Sequence, residues 1–175
     1  MEKCGRENVP RHGGFILASN HVSYLDPIAV GSACPRKLNY MARHDLFSSS
    51  FYSWLLYKVG AFPVKRSTAD IWALREAIKR VGSGGGLLLF PEGRRLTPGE
   101  EVSKAEAGVG FLADKLNVPV IPVHVSGTEK SWPRGTKFPV FAKISVTFGK
   151  QIHLERGLPY QRIAQLIMEN VKNLS

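Results

Sequence analysis

The sequence predicts a single α/β domain over residues 1–175, with a largely parallel or mixed central sheet flanked by helices. Three observations lead there. Short apolar runs of strand length alternate with segments whose apolar residues recur at helical spacing. The 175 residues are 43% hydrophobic, enough for one sizeable core. No internal repeat, low-complexity tract or obvious linker divides the chain.

Taken in order, Gly14–Ala18 reads as a short buried strand ended by polar Ser19 and Asn20. Asp26 followed by Pro27 reads as a capped helix start, and the helix runs to about Ala33 before Pro35. Leu38–Ala42 is a second strand. Phe51–Val59 is aromatic-rich and helical, and Ala61–Val64 is short and extended. Ala69–Val81 carries Ile71, Leu74, Ile78 and Val81 at helical spacing, and a glycine cluster from Gly82 to Gly86 ends it. Leu87–Phe90 follows as a buried strand, then a helix over Glu106–Leu116 and a strand over Val118–Val125. Later strands are expected at Phe138–Val140 and Lys143–Phe148, and a last helix at Tyr160–Asn173. In such sheets, sites gather where strands end in loops. His21, Arg43, Arg66 and Glu92 all fall just after expected strands.

Lys and Arg number 24 against 14 Asp and Glu, a net charge of +10. That balance points to nucleic acid, an acidic membrane surface or phosphorylated substrates. No helix-turn-helix, aromatic RNA-binding motif or zinc finger is recognisable, so nucleic acid is set aside. Cys4 and Cys34 are too few and too isolated for a disulfide framework, which fits a reducing, cytosol-facing environment. His12, His44, His124 and His153 are scattered without zinc-like spacing, so neither a metal nor a cofactor is expected. Met1–Gly14 is polar and does not read as a signal peptide. The longest apolar runs fall short of about 18 residues, so a membrane would be met from its surface.

Four loops hold the candidate chemistry. In the stretch Ala18 to Pro27, His21 and Asp26 cannot share a face of one continuous helix. A turn between strand and helix would let the carboxylate hold one imidazole nitrogen while the other takes a proton from a hydroxyl. Asp26 could equally be only a helix cap. Ser23 lies between them without the G-x-S-x-G elbow of a serine nucleophile. Gly60–Arg66 ends in two cations, where Arg66 offers a planar fork for phosphate oxygens or simply a solvated edge. Phe90-Pro91-Glu92-Gly93-Arg94-Arg95 runs a buried strand straight into a concentration of charge around a glycine, a catalytic loop or a salt-bridged surface turn. Val118–Val123 reads foremost as a core strand. Phe51–Lys58 is either a membrane-contacting aromatic face with a flanking cation or an ordinary core helix.

Together, in this order, the four loops resemble the glycerophospholipid acyltransferase family, most closely its lysophosphatidic acid acyltransferases. Asn20-His21 through Asp26 matches N-H-x-x-x-x-D. Gly60–Arg66 matches the second block, Phe90–Arg95 matches F-P-E-G-T-R, and Val118–Val123 matches V-P-V-I-P-V. The similarity spans roughly Asn8 to Gln151. It implies a glycerolipid acyltransferase-like fold and transfer of a fatty acyl group from acyl-CoA or acyl-carrier protein to the free hydroxyl of lysophosphatidic acid. The product is phosphatidic acid in phospholipid biosynthesis. Another acceptor, such as glycerol-3-phosphate or a different lysophospholipid, or an inactive lipid-binding relative, is the alternative.

By the same resemblance His21 is the general base, oriented by Asp26. Arg66 and Arg95 hold the acceptor phosphate, with Arg43 able to join them. Glu92 and Gly93 shape the acceptor site, backbone N–H groups near Gly93 stabilise the oxyanion, and Pro122 belongs to the acyl or acceptor wall. Two departures stand out. Arg94 replaces the usual Thr and adds charge beside the expected phosphate. Relatives generally carry an N-terminal hydrophobic anchor, whereas only 20 residues precede His21 here. Either the chain has been trimmed, or docking relies on the basic surface and the Phe51–Tyr57 face, and the expectation is peripheral attachment on the anionic cytoplasmic face of the cell membrane.

Overall fold

The computed structural model describes residues 1–65, 70–97, 100, 104–133, 136 and 138–174. Its strands are β1 (Glu2–Cys4), β2 (Phe15–Ser19), β3 (Leu38–Arg43), β4 (Ala61–Val64), β5 (Gly86–Leu89), β6 (Val120–Ser126) and β7 (Ser145–Phe148). Its helices are α1 (Asp26–Ala33), α2 (Ser50–Lys58), α3 (Ile71–Gly82), α4 (Ala107–Leu116), α5 (Thr128–Ser131) and α6 (Tyr160–Lys172). The strands form one sheet in the order β1-β7-β6-β2-β5-β3-β4. β6, β2, β5, β3 and β4 run parallel, β7 is antiparallel to β6, and β1 lies parallel to β7. The expected largely parallel sheet is present.

β2 sits at the centre because all five of its residues are buried, the pattern of a strand covered on both faces. The side chains of Ile16 and Ala18 pack with Ala73, Ala77, Leu112 and Ile167 from α3, α4 and α6. Those of Phe15 and Leu17 pack on the other face with Ala29, Val30 and Ala33 of α1. Period-two alternation along one strand thus builds both layers of core. α6 supplies a continuous apolar stripe, Ile163, Ala164, Ile167, Met168 and Val171, at helical spacing. Each of the larger buried side chains in it, the Ile, Met and Val, contributes about 1.5–3 kcal/mol.

Several expectations need correcting. The segment Phe138–Val140 forms no strand. Val140 N–H donates to Ser131 O at 2.7 Å and its carbonyl accepts from Ser131 Oγ at 2.8 Å, so its polar groups are used by the end of α5. Phe138 is 78% exposed. The strand expected from Lys143 begins at Ser145, and that expected from Val118 begins at Val120. α2 has no buried residue, which removes its reading as a core helix. α3 starts at Ile71, with the Asp70 carboxylate accepting from Ala73 N–H at 3.1 Å. Its expected first residue, Ala69, lies outside the described residues.

Asp26 is not the cap of α1. Leu25 holds that position without a side-chain cap, and Asp26 is the first helical residue. Its carboxylate turns back to donors outside the helix.

Candidate active site

The parallel strands deliver their carboxyl ends to one edge of the sheet, where β2, β3, β5 and β6 all open into loops. After β2 the chain is clipped to β6 by Asn20. Its Oδ1 accepts from Val125 N–H at 2.7 Å and its Nδ2 donates to Val125 O at 2.8 Å. The side-chain amide therefore acts as one more rung of the sheet, and it sets where the next residue, His21, must stand.

Asp26 is fully buried. Its Oδ2 accepts from the backbone N–H groups of Val22 and Ser23, each at 2.7 Å, and lies 2.9 Å from His21 Nδ1. Its Oδ1 accepts from Thr128 Oγ1 at 2.6 Å. Four partners take the place of bulk water around the carboxylate oxygens in this dry setting. An ionised carboxylate can only accept, so Nδ1 carries the hydrogen and Nε2 keeps its lone pair. Phe90 stacks on the imidazole with centroids 4.0 Å apart and planes inclined by 20°, which fixes the ring's tilt. The His21 side chain is 12% exposed, poorly hydrated but reachable.

The 90–97 loop lies directly against this pair. Leu96 N–H donates to His21 O at 2.8 Å, placing neighbouring Arg95 beside the imidazole loop. The Arg95 guanidinium stacks over the Tyr24 ring, 3.3 Å from its centroid, and Tyr24 in turn leans on Trp132 at 6.3 Å. Among the described residues Arg95 pairs with no carboxylate. Arg94 is the opposite case: it is engaged by Glu100, which also accepts from Thr97 N–H and Oγ1. The extra charge expected beside the phosphate is thus balanced locally.

Gly93 adopts φ +67°, and a Cβ there would lie 2.4 Å from Glu106 Cγ. Its N–H donates to Phe90 O at 3.0 Å, so the turn itself consumes that donor. Glu92 is held within the same turn. Burial pushes its carboxyl up to about 7, the Asp26 charge adds to the rise, and backbone N–H groups of Glu92 and His21 pull against it. Glu92 Oε2 is buried with no hydrogen-bond partner among the described residues.

The structure brings together His21, Asp26, Glu92, Gly93 and Arg95. Arg43 ends β3 on the same edge, but its fork is occupied by Asp45 at 2.9 and 2.5 Å. Pro122 lies buried within β6 opposite Ala18, and its carbonyl accepts from Gly149 N–H. Arg66 is outside the described residues. Thr128, Asn20 and Phe90 are the contributors whose roles went unread. Asn20 and Phe90 stand inside recognised blocks, whereas Thr128 carries no local signal. Among the described residues, no group of three His, Cys, Asp or Glu side chains converges as metal ligands.

Residues 1–126 match the family model described as Acyltransferase. The 1-acyl-sn-glycerol-3-phosphate acyltransferase of Bacillus subtilis is 28% identical over 149 residues, 85% of this chain and 71% of that protein. The enzyme of the same name from Streptococcus pneumoniae is 27% identical over 115 residues, 65% of this chain and 42% of that protein. Among solved structures, the 1-acyl-sn-glycerophosphate (LPA) acyltransferase PlsC from Thermotoga maritima superposes with a TM-score of 0.78 at 24% identity. That match covers 99% of this chain and 71% of the other, and it shows a common fold.

Proposed function

The chain belongs to the acyltransferase family, and on that premise we propose that it moves a fatty acyl group from an acyl thioester to the free hydroxyl of 1-acyl-sn-glycerol-3-phosphate, forming phosphatidic acid. The observation that carries this reading is the His21–Asp26 pair, an imidazole held at 2.9 Å by a fully buried carboxylate. In this reaction Nε2 of His21 takes the hydroxyl proton, and the oxygen attacks the thioester carbonyl. The new C–O bond forms, the C–S bond breaks, and the thiolate leaves with the proton returned from His21. Asp26 holds the tautomer and balances the transient imidazolium. Gly93 N–H is engaged in its turn, which leaves the oxyanion to other donors. Arg95, stacked on Tyr24 with its edge unpaired among the described residues, suits the acceptor phosphate, and Arg66 joins it on sequence grounds.

The acceptor is a lipid, and the exposed apolar residues support docking on an anionic membrane surface. Phe51 and Trp54 of α2, after β3, are 66% and 57% exposed. Phe138 and Phe141, in the loop beyond β6, are also bare. Both sets follow the carboxyl ends of strands, the edge that holds His21. Lys58 lies 5.8 Å over the Trp54 ring, a cation beside an aromatic as at lipid interfaces. No helix among the described residues is long and apolar enough to cross a membrane.

The test is thiol release by purified protein from acyl-CoA and from acyl-carrier protein, each with lysophosphatidic acid. His21→Ala should cost about 10²–10⁴-fold in turnover while circular dichroism stays unchanged. Near-normal turnover in that variant removes His21 as the base, and the better donor identifies the carrier.

A further inference from the structure

We propose that Thr128 is a positioning residue for the proton-transfer pair: its hydroxyl locks the Asp26 carboxylate in the orientation that holds His21. This rests on the acyltransferase reading above. The carboxylate is completely buried, and its two oxygens are treated differently. Oδ2 collects Val22 N–H, Ser23 N–H and the imidazole, all from the loop that leads into α1. Oδ1 has one hydrogen-bond donor among the described residues, Thr128 Oγ1 at 2.6 Å, reaching from 102 positions further along the chain. The 2.6 Å separation is that of a hydroxyl donating to a charged oxygen.

Without that donor, a buried carboxylate oxygen would be left unsatisfied, and rotation of the carboxyl group would no longer be pinned from both sides. The imidazole plane would loosen with it. Thr128 is itself fully buried, so water has no direct path to replace its hydroxyl.

The surrounding backbone is built to hold this one side chain in place. β6 runs parallel beside β2, with Ser19 opposite Val123. Asn20 clips Val125 in both directions, so the end of β6 cannot slide relative to the imidazole loop. Gly127 then turns at φ +85°, where a Cβ would lie 2.0 Å from Lys143 O, and Thr128 is delivered to the carboxylate as the first residue of α5. Being β-branched, Thr128 has few side-chain rotamers to lose on being fixed.

The experiment compares Thr128→Val, Thr128→Ser, His21→Ala and the wild type in the thiol-release assay. The downfield imidazole N–H proton of His21 is followed in parallel by NMR. Thr128→Val keeps the shape and removes the hydroxyl. It should lower kcat about 10- to 100-fold, the range for losing a hydrogen bond to a charged group, with acceptor KM changed by less than about twofold. Its imidazole N–H signal should broaden or move, and Thr128→Ser should restore both kcat and signal to near wild type. A Thr128→Val protein with wild-type kcat and an unmoved signal overturns the proposal. So does a loss of kcat that comes with a matching rise in KM and is not rescued by Ser, which marks a merely structural role. The NMR arm needs no substrate, so it judges Thr128 even if the acyl-transfer reading fails, and that failure shows separately as no thiol release by the wild type.

Discussion

Replacing Glu92 by Gln should stabilise the protein, and only at neutral to alkaline pH. Burial raises the Glu92 carboxyl from its ordinary 4.5 to about 7. A carboxyl with a higher pKa folded than unfolded binds more protons in the native state, so its ionisation opposes folding. Stability therefore falls as pH climbs from about 4.5 to about 7, and the full cost persists above that. At about 1.36 kcal/mol per pH unit, the gap amounts to about 3 kcal/mol. The residue is partly exposed, and solvent trims this to about 2 kcal/mol. Gln copies the protonated acid without an ionisable proton, and so escapes the cost. For a chain of this size, 1 kcal/mol moves Tm by about 2–4 °C. Glu92→Gln should melt about 4–8 °C higher than wild type at pH 8 and within about 1 °C of it near pH 4.5. Thermal unfolding followed by circular dichroism across that range reads both numbers. A variant that melts at or below wild type at pH 8, or whose offset ignores pH, refutes the argument that burial opposes this charge.

Gly93→Ala should destabilise by about 1–2 kcal/mol, the cost of a left-handed backbone in an L-residue, and should lower turnover because Glu106 must move; urea unfolding alongside the thiol assay measures both. Arg66→Ala should raise acceptor KM with little change in kcat, since it removes ground-state phosphate binding; a change confined to donor kinetics contradicts that role. Phe51→Ser combined with Trp54→Ser should weaken co-sedimentation with anionic vesicles while leaving turnover on a short-chain, monomeric acceptor within about twofold. Unchanged sedimentation would exclude α2 from the docking surface.

Most of the architecture was legible because it rests on local patterns. β2, β3, β4, β5, α1, α4 and α6 each announce themselves by an apolar run or stripe between glycines, prolines or polar residues. What escaped depends on partners distant in sequence. β1 is three exposed residues, Glu2 to Cys4, and becomes a strand only because β7 offers it an edge. Phe138 and Val140 have strand-forming side chains, but Ser131 takes the backbone groups that a strand neighbour would need. At the site, the spacing of His21 and Asp26 was readable, as was the charge after β5. Asp26 was misread as a cap because an Asp before Pro usually serves one. Donors from Val22, Ser23, His21 and Thr128 compete for its oxygens instead. The pairing of Arg94 with Glu100 and of Arg43 with Asp45, which sets them apart from Arg95, follows from loop geometry that no spacing rule reports.

The bond between Asp26 and Thr128 also has a timetable. Synthesis supplies the whole His21–Asp26 stretch early, and β2 emerges with it, yet both hydrogen-bonded neighbours of that strand, β5 and β6, arrive much later. Pairings so far apart in sequence form slowly. Until residue 128 leaves the ribosome, a nascent chain can carry every letter of its first motif while the carboxylate remains in water and the histidine has nothing rigid to lean on. During that interval the proton-transfer pair lacks the donor on Oδ1, and an apolar central strand waits without its neighbours, the kind of unpaired edge that invites aggregation.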